Sequence, residues 1–164
     1  MSECDQTGAA TEIRIAAVVA EEQTRRIDAA IARRAYEIFE ERGGMGWHEL
    51  EDWRKAEAEL DCRSCVGLTS SETAVLVGCN TAGFAEGSIE IWVAPRQMTI
   101  CGTPIQKDKP PQGARLYSGP VFRVLRLPVE IDPCRVFATV RQGCFLEIHL
   151  PVGAQKKLVQ LQAA

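Results

Sequence analysis

The chain has 164 residues, 46% hydrophobic and 25% charged, with a formal net charge of −3, a balance that suits one globular core or one domain plus a small appendage. No apolar run approaches the roughly 20 residues that span a bilayer, and residues 13–20 are too short and lack the basic flank and cleavage site of a secretory signal; no membrane partner is expected, and the expected location is the cytoplasm. Residues 1–60 hold 14 acids against 8 bases and the remainder 8 against 11, and so acidic a front half argues against nucleic acid as a partner.

Residues 1–11 are small and polar without a period, so residues 1–20 are expected to form a flexible arm, with 13–20 either extending a helix or making a stray apolar segment. Residues 21–42 are helical. Ile27, Ile31, Ala35 and Ile38 recur at helical spacing, and charged residues including Arg33, Arg34, Glu37 and Glu41 fill the rest of the surface. Gly43 and Gly44 end that helix. A second helix runs over 47–60, with Glu49, Glu51 and Asp52 in its first turns, where the helix dipole favours negative charge. The two form an αα-hairpin too small to be secure alone, so Phe39, Trp47 and Trp53 are expected to make a mini-core or to dock elsewhere. Ala35, Tyr36, Phe39, Gly43, His48, Leu50, Trp53, Ala56, Glu57 and Leu60 carry a resemblance to a short helical domain of unknown function found in bacterial proteins. It implies no activity.

Residues 61–67 are a linker holding Cys62-x-x-Cys65. One such pair is a weak zinc signal, because zinc usually takes four ligands. Seven cysteines at irregular spacing are not a disulfide framework, and Cys79, Cys101, Cys134 and Cys144 sit in or beside apolar runs, where thiols pack as small hydrophobes. From Leu68 the period becomes two. Apolar segments at 73–79, 88–94, 97–102, 121–127, 136–140 and 145–150 are separated by Gly- and Pro-bearing turns and by a loop over 103–115. Six or seven short strands of this kind predict a mainly β fold, an immunoglobulin-like antiparallel sandwich behind the helical hairpin.

An ordered series of motifs lies in residues 68–151. Ala82-Gly83-Phe84 is followed by Ile89-x-Ile91-x-Val93 and Met98-x-Ile100-x-Gly102. Then come Tyr117-x-Gly119-x-Val121-x-Arg123-x-x-x-Leu127-Pro128, Ile131-Asp132, Ala138 to Gly143, and Leu146-x-Ile148-x-Leu150-Pro151. The series resembles the alpha-crystallin domain of the small heat-shock proteins. It departs from the family at Val121, where an aromatic is usual, at one extra residue between Gly143 and Leu146, and at Ala114-Arg115-Leu116, where glutamates often precede the Tyr-Gly signature.

The resemblance implies an ATP-independent holdase that binds unfolded or partly folded clients and assembles with itself as a homodimer or larger oligomer. It places a client- or tail-binding groove between Ile89, Ile91 and Val93 on one strand and Val136, Ala138 and Val140 on another, with half or all of these in the core. It places a dimer contact at Leu116 and Tyr117, and a C-terminal anchor at Val159-x-Leu161 within a tail over 152–164, the alternative there being a frayed terminus. Arg123, alternating with Val121 and Leu125 on one strand face, calls for an acidic partner, across the dimer or in an ordinary surface ion pair. An assembly module that uses the same sandwich for one fixed partner is the alternative. No phosphate loop, His-Glu-x-x-His or Gly-x-Ser-x-Gly occurs, and His48 and His149 are the only histidines, so neither an enzyme nor a cofactor is expected.

Overall fold

The computed structural model describes residues 13–46, 48–62, 66–85, 87–105, 117–141 and 145–153. Strand β1 (Arg14–Ala17) leads into helices α1 (Ala20–Glu41) and α2 (Glu49–Leu60). Seven strands follow: β2 (Val66–Ser70), β3 (Ala74–Asn80), β4 (Glu90–Val93), β5 (Gln97–Gly102), β6 (Val121–Arg126), β7 (Phe137–Arg141) and β8 (Phe145–Pro151). They form two four-stranded sheets, ordered β1-β4-β5-β6 and β2-β3-β8-β7. All pairings except β1 with β4 are antiparallel. The protein is a mainly β sandwich with a helical hairpin in front, as its sequence predicts.

The inter-sheet core follows from strand alternation. Val75, Val77 and Cys79 of β3 and Leu146, Ile148 and Leu150 of β8 point inward, against Ile91, Val93, Met98 and Ile100 of the other sheet. Their neighbours on β3 and β8 are half-buried or exposed, as expected for a sheet with one wet face. β4 and β5 break this rule, being buried on both faces. The reason is the hairpin, which lies on the outer face of β4, β5 and β6. Ile31, Ile38, Ala56 and Leu60 pack there with Trp92, Cys101 and Phe122. The hairpin therefore docks as the sequence suggests, but chiefly through its aliphatic stripe. Phe39 stays half-buried beside the exposed Tyr36 ring, and Trp47 lies outside the described residues.

Two features differ from the sequence expectation. Arg34, expected at the surface, is only 4% exposed. Its guanidinium reaches Glu59 of α2 at 2.5 Å, and Glu37 and Glu41 of its own helix at 3.1 and 3.3 Å. The Glu59 hydrogen bond holds its pKa above the ordinary arginine value despite burial. A buried charge is tolerated only when so paired, and Glu59, distant in sequence, cannot be found from helical spacing alone. The second difference is β1. Arg14–Ala17 joins the first sheet as a strand, where the sequence offered a helix extension or a stray arm. Its partner strand lies more than 70 residues away, so the pairing is invisible to local propensity.

A buried polar joint ties β1, α1 and β5 together. The fully buried Gln23 amide donates to the Val18 carbonyl at 2.7 Å, and its oxygen accepts from Thr99 at 2.7 Å and from the Gln97 side chain at 3.2 Å. Gln23→Ala leaves a carbonyl and a hydroxyl without these bonds. The expected cost is about 1–3 kcal/mol, read by urea unfolding. A Gln23→Ala protein as stable as the parent would remove the joint from the account.

Candidate functional site

The borders of the two sheets are where this fold can receive another chain, since border strands carry unpaired backbone groups. Among the described residues, β2 and β7 each pair on one side only. Phe137 of β7 is half exposed and stacks on His149, with ring centroids 4.5 Å apart and 7° between planes. The His149 Nε2 lies 2.9 Å from Glu147, which also meets Arg141 at 3.4 Å. Phe145 lies over Gly78, where an added Cβ would come within 2.7 Å of the ring. Phe137 and Phe145 leave apolar surface on the sheet face opposite the hairpin, while Leu68 of β2, in register with the inward Val77, is exposed at the border itself.

The border at β4 is filled by the chain itself. β1 runs parallel to β4 with Ile15 beside Ile91 and Ala17 beside Val93. Arg14 N donates to Ile89 O at 3.2 Å, and Val18 N donates to Val93 O at 2.9 Å. Ile13 and Ile15 pack on the inter-sheet core alongside Val136, Ala138 and Val140, and β1 also touches the 3₁₀ turn Pro133–Arg135 that leads into β7. The six groove residues named from the sequence thus fall together. Ile89, Ile91 and Val93 are fully buried in the core, and Val136, Ala138 and Val140 are half-buried against it. The occupant beside them is Ile13-x-Ile15, a pair the sequence reading did not assign to a site. Its signal was the spacing of two, identical to that of Val159-x-Leu161.

Burying an isoleucine contributes roughly 1.5–3 kcal/mol when complete, and Ile13 and Ile15 are only half-buried. Ordering the backbone costs about 1–2 kcal/mol per residue. Two half-buried anchors therefore fall short of the cost of ordering a four-residue strand and do not by themselves fix it. The arm depends on Val18, buried in the hairpin cluster, and on the Gln23 joint.

Of the expected dimer contacts, Tyr117 and Arg123 lie within the described residues, and both meet groups of their own chain. The Tyr117 hydroxyl donates to Pro120 O at 2.6 Å, and the ring lies under the Arg34 guanidinium, 5.8 Å away. A Cβ at Gly119 would meet the phenol oxygen at 2.5 Å, which gives the Tyr117-x-Gly119 spacing a steric reason. Arg123 comes within 4.0 Å of Asp61, and its Nε is buried without a hydrogen-bond partner among the described residues. Asp61 and Cys62 run along β6, with Cys62 N bonded to Phe122 O at 3.0 Å. Leu116, Val159, Leu161 and Cys65 lie outside the described residues. No helix among the described residues is long and apolar enough to cross a membrane.

Burial pushes the Cys101 thiol up to about 12, with Glu90 and Cys62 adding to it, and pushes the Tyr117 phenol up to about 12, with Glu37 adding. Both groups titrate higher in the folded chain than their ordinary values of 9 and 10. The unfolded chain therefore loses these protons first. Stability holds below pH 9 and falls as pH rises toward 12, by at most about 1.4 kcal/mol per pH unit per group, less for the half-exposed Tyr117. Urea unfolding across this window checks it: Cys101→Val should flatten the slope between pH 9 and 10, and an unchanged slope would contradict the assignment.

Residues 28–61, the hairpin from within α1 to the end of α2, match a family model described as "Protein of unknown function (DUF2934)". No curated protein matches the chain. Similar solved structures include heat shock protein 16.0 from Schizosaccharomyces pombe, at 19% identity, covering 56% of this chain and 88% of that one with a TM-score of 0.45. A small heat-shock protein from Xylella fastidiosa is 17% identical over 57% of this chain and 89% of that one, with a TM-score of 0.46. The Del-C4 mutant of hsp14.1 from Sulfolobus solfatataricus P2 is 20% identical over 58% and 79%, also at 0.46.

Proposed function

We propose that this protein is an ATP-independent holdase of small heat-shock type, acting in the cytoplasm on non-native chains and assembling with copies of itself. The observation that carries the reading is the seat of β1. A short strand holding Ile15, with Ile13 just before it, lies along β4, packs on the inter-sheet core and touches the turn that leads into β7. A border that accepts one such strand has the shape and chemistry to accept others, because backbone pairing supplies affinity and alternate side chains supply selectivity. The borders at β2 and β7 and the exposed Leu68, Phe137 and Phe145 add surface for extended apolar segments. The motif series from Ala82 to Pro151 supports the same reading. Contacts of this kind are weak and reversible, which suits holding a client without nucleotide.

The second reading, a module for one fixed partner, draws on the covering of two surfaces by the chain itself: the hairpin over β4, β5 and β6, and β1 over β4. Size separates the two. On heating with a labile client enzyme and no nucleotide, a holdase should co-elute with the client in large, heterogeneous soluble complexes. A discrete monomer or dimer that leaves the client to precipitate would overturn the holdase.

A further inference from the structure

We propose that the turn end of the helical hairpin is a binding site for a small organic cation with an apolar body. The inference goes beyond the holdase reading and does not depend on it.

Its shape follows from how the hairpin docks. On α2, Leu60 and Ala56 are buried in the cluster with Trp92 and Phe122, Trp53 is half-buried against that cluster, and Glu49, one turn further, is exposed. On α1, Ala35 packs on the same cluster, Phe39 one turn on is half-buried, and Tyr36 is exposed. The two helices leave a cavity of about 550 Å³ lined by these last residues of each stripe and closed at the turn by Gly44 and Gly46. Its whole lining falls within residues 28–61, the stretch that matches the family model. A cavity of this size, walled by apolar and aromatic groups with a few polar ones, suits a small molecule.

Its chemistry selects a cation. Three aromatic rings and two carboxylates line the one cavity. The Tyr36 and Phe39 rings lie 6.1 Å apart, inclined by 33°, and Trp53 comes from the other helix. Aromatic faces attract cations, tryptophan most strongly. One cation is already seated there: the Arg42 guanidinium lies 5.8 Å from the centre of the Phe39 ring and bonds Asp52 at 2.7 Å. Arg42 thereby answers Asp52. Glu49 shares a face of α2 with Trp53, one turn away, and has no ion pair among the described residues.

A second cation therefore has a place beside Glu49 and Trp53, with its apolar body against Ala35, Tyr36 and Phe39. An anion has none. Residues 32–53 carry six carboxylates against three arginines, and the positive end of α2 is already met by Glu49, Glu51 and Asp52 in its own first turn. Met45 and Leu50, which flank the lining residues in sequence, are exposed, so a lipid headgroup is the other source of the same cation. The enclosed shape favours the free small molecule, and the test separates the two.

The test titrates the full chain, labelled for NMR, with benzyltrimethylammonium, with its uncharged isostere neopentylbenzene, and with phenylacetate. The cation should shift the amides of residues 32–53 and the Trp53 indole N–H while leaving β3 and β8 in place. It should bind about tenfold more tightly than neopentylbenzene, and phenylacetate should not bind. Glu49→Gln removes a charge from an exposed side chain, and Tyr36→Leu removes an exposed ring but keeps apolar surface, so both variants should unfold as the parent does. Each should weaken binding of the cation about two- to fivefold and leave neopentylbenzene unchanged. Equal binding of cation and isostere, a preference that neither variant reduces, or no shift with the cation at any concentration that spares the fold would overturn the proposal. Flotation of the chain with phosphatidylcholine vesicles, without a response to the free cation, would overturn it in favour of a lipid surface.

Discussion

Ile148→Ala should lower the stability of the chain by about 2–5 kcal/mol, the usual cost of truncating a fully enclosed aliphatic side chain. Ile148 has no exposed surface, and it sits on β8 in register with Val77 of β3 and Ala138 of β7. The cavity would open in the middle of the second sheet, facing Met98 and Ile91, with paired strands on both sides that limit collapse. For a chain of this size the unfolding midpoint should fall by on the order of 10 °C. Thr139→Ala, on the exposed face of β7, should stay within about 0.5 kcal/mol. Denaturant unfolding of both variants checks the pair. Similar stabilities for the two would contradict the inward assignment of β8.

Trp92→Ala should act on the other interface. The Trp92 side chain faces the hairpin from β4, with the Phe122 ring at 5.8 Å and the Arg26 guanidinium 5.1 Å from its own ring. A buried tryptophan reduced to alanine costs about 3–5 kcal/mol. Here the loss should fall on hairpin docking more than on the inter-sheet core. Hydrogen exchange resolves the two. Amides of α1 and α2 should exchange faster, together with those of Arg14 and Val18, because arm and hairpin share one attachment. Amides of β3 and β8 should keep their protection. Uniform acceleration across both sheets would mean that hairpin and sandwich unfold as one unit, and would remove the physical basis for a hairpin-controlled arm.

Much of the sandwich was legible because its signals are local. Gln97–Gly102 begins and ends where its alternation does, and β3, β6, β7 and β8 fall within a residue or so of their apolar runs. Val66–Ser70 was harder to read. Gly67 and Ser70 give its five residues little strand propensity, and it is a strand because β3 pairs with it. β1 failed for a related reason: two alanines in four residues read as readily into the following helix as into a sheet. Arg34 shows the limit for charges. Glu37 is visible at helical spacing, but the closest carboxylate, Glu59, arrives on another helix. The groove residues come from a resemblance, and the structure places Ile89, Ile91 and Val93 in the inter-sheet core, as their alternation suggests. Ile13-x-Ile15 went unremarked because nothing local sets its spacing apart from that of Val159-x-Leu161, and the latter pair lies outside the described residues.

The central claim is that this sandwich holds other chains through its borders without nucleotide. Light scattering from a heated, aggregation-prone client tests it most directly. Scattering should be suppressed in proportion to added protein, with ATP present or absent, and should be suppressed further when Ile13→Asp/Ile15→Asp opens the β4 border. Scattering that follows the client-alone curve at every ratio, for parent and opened variant alike, would contradict the account.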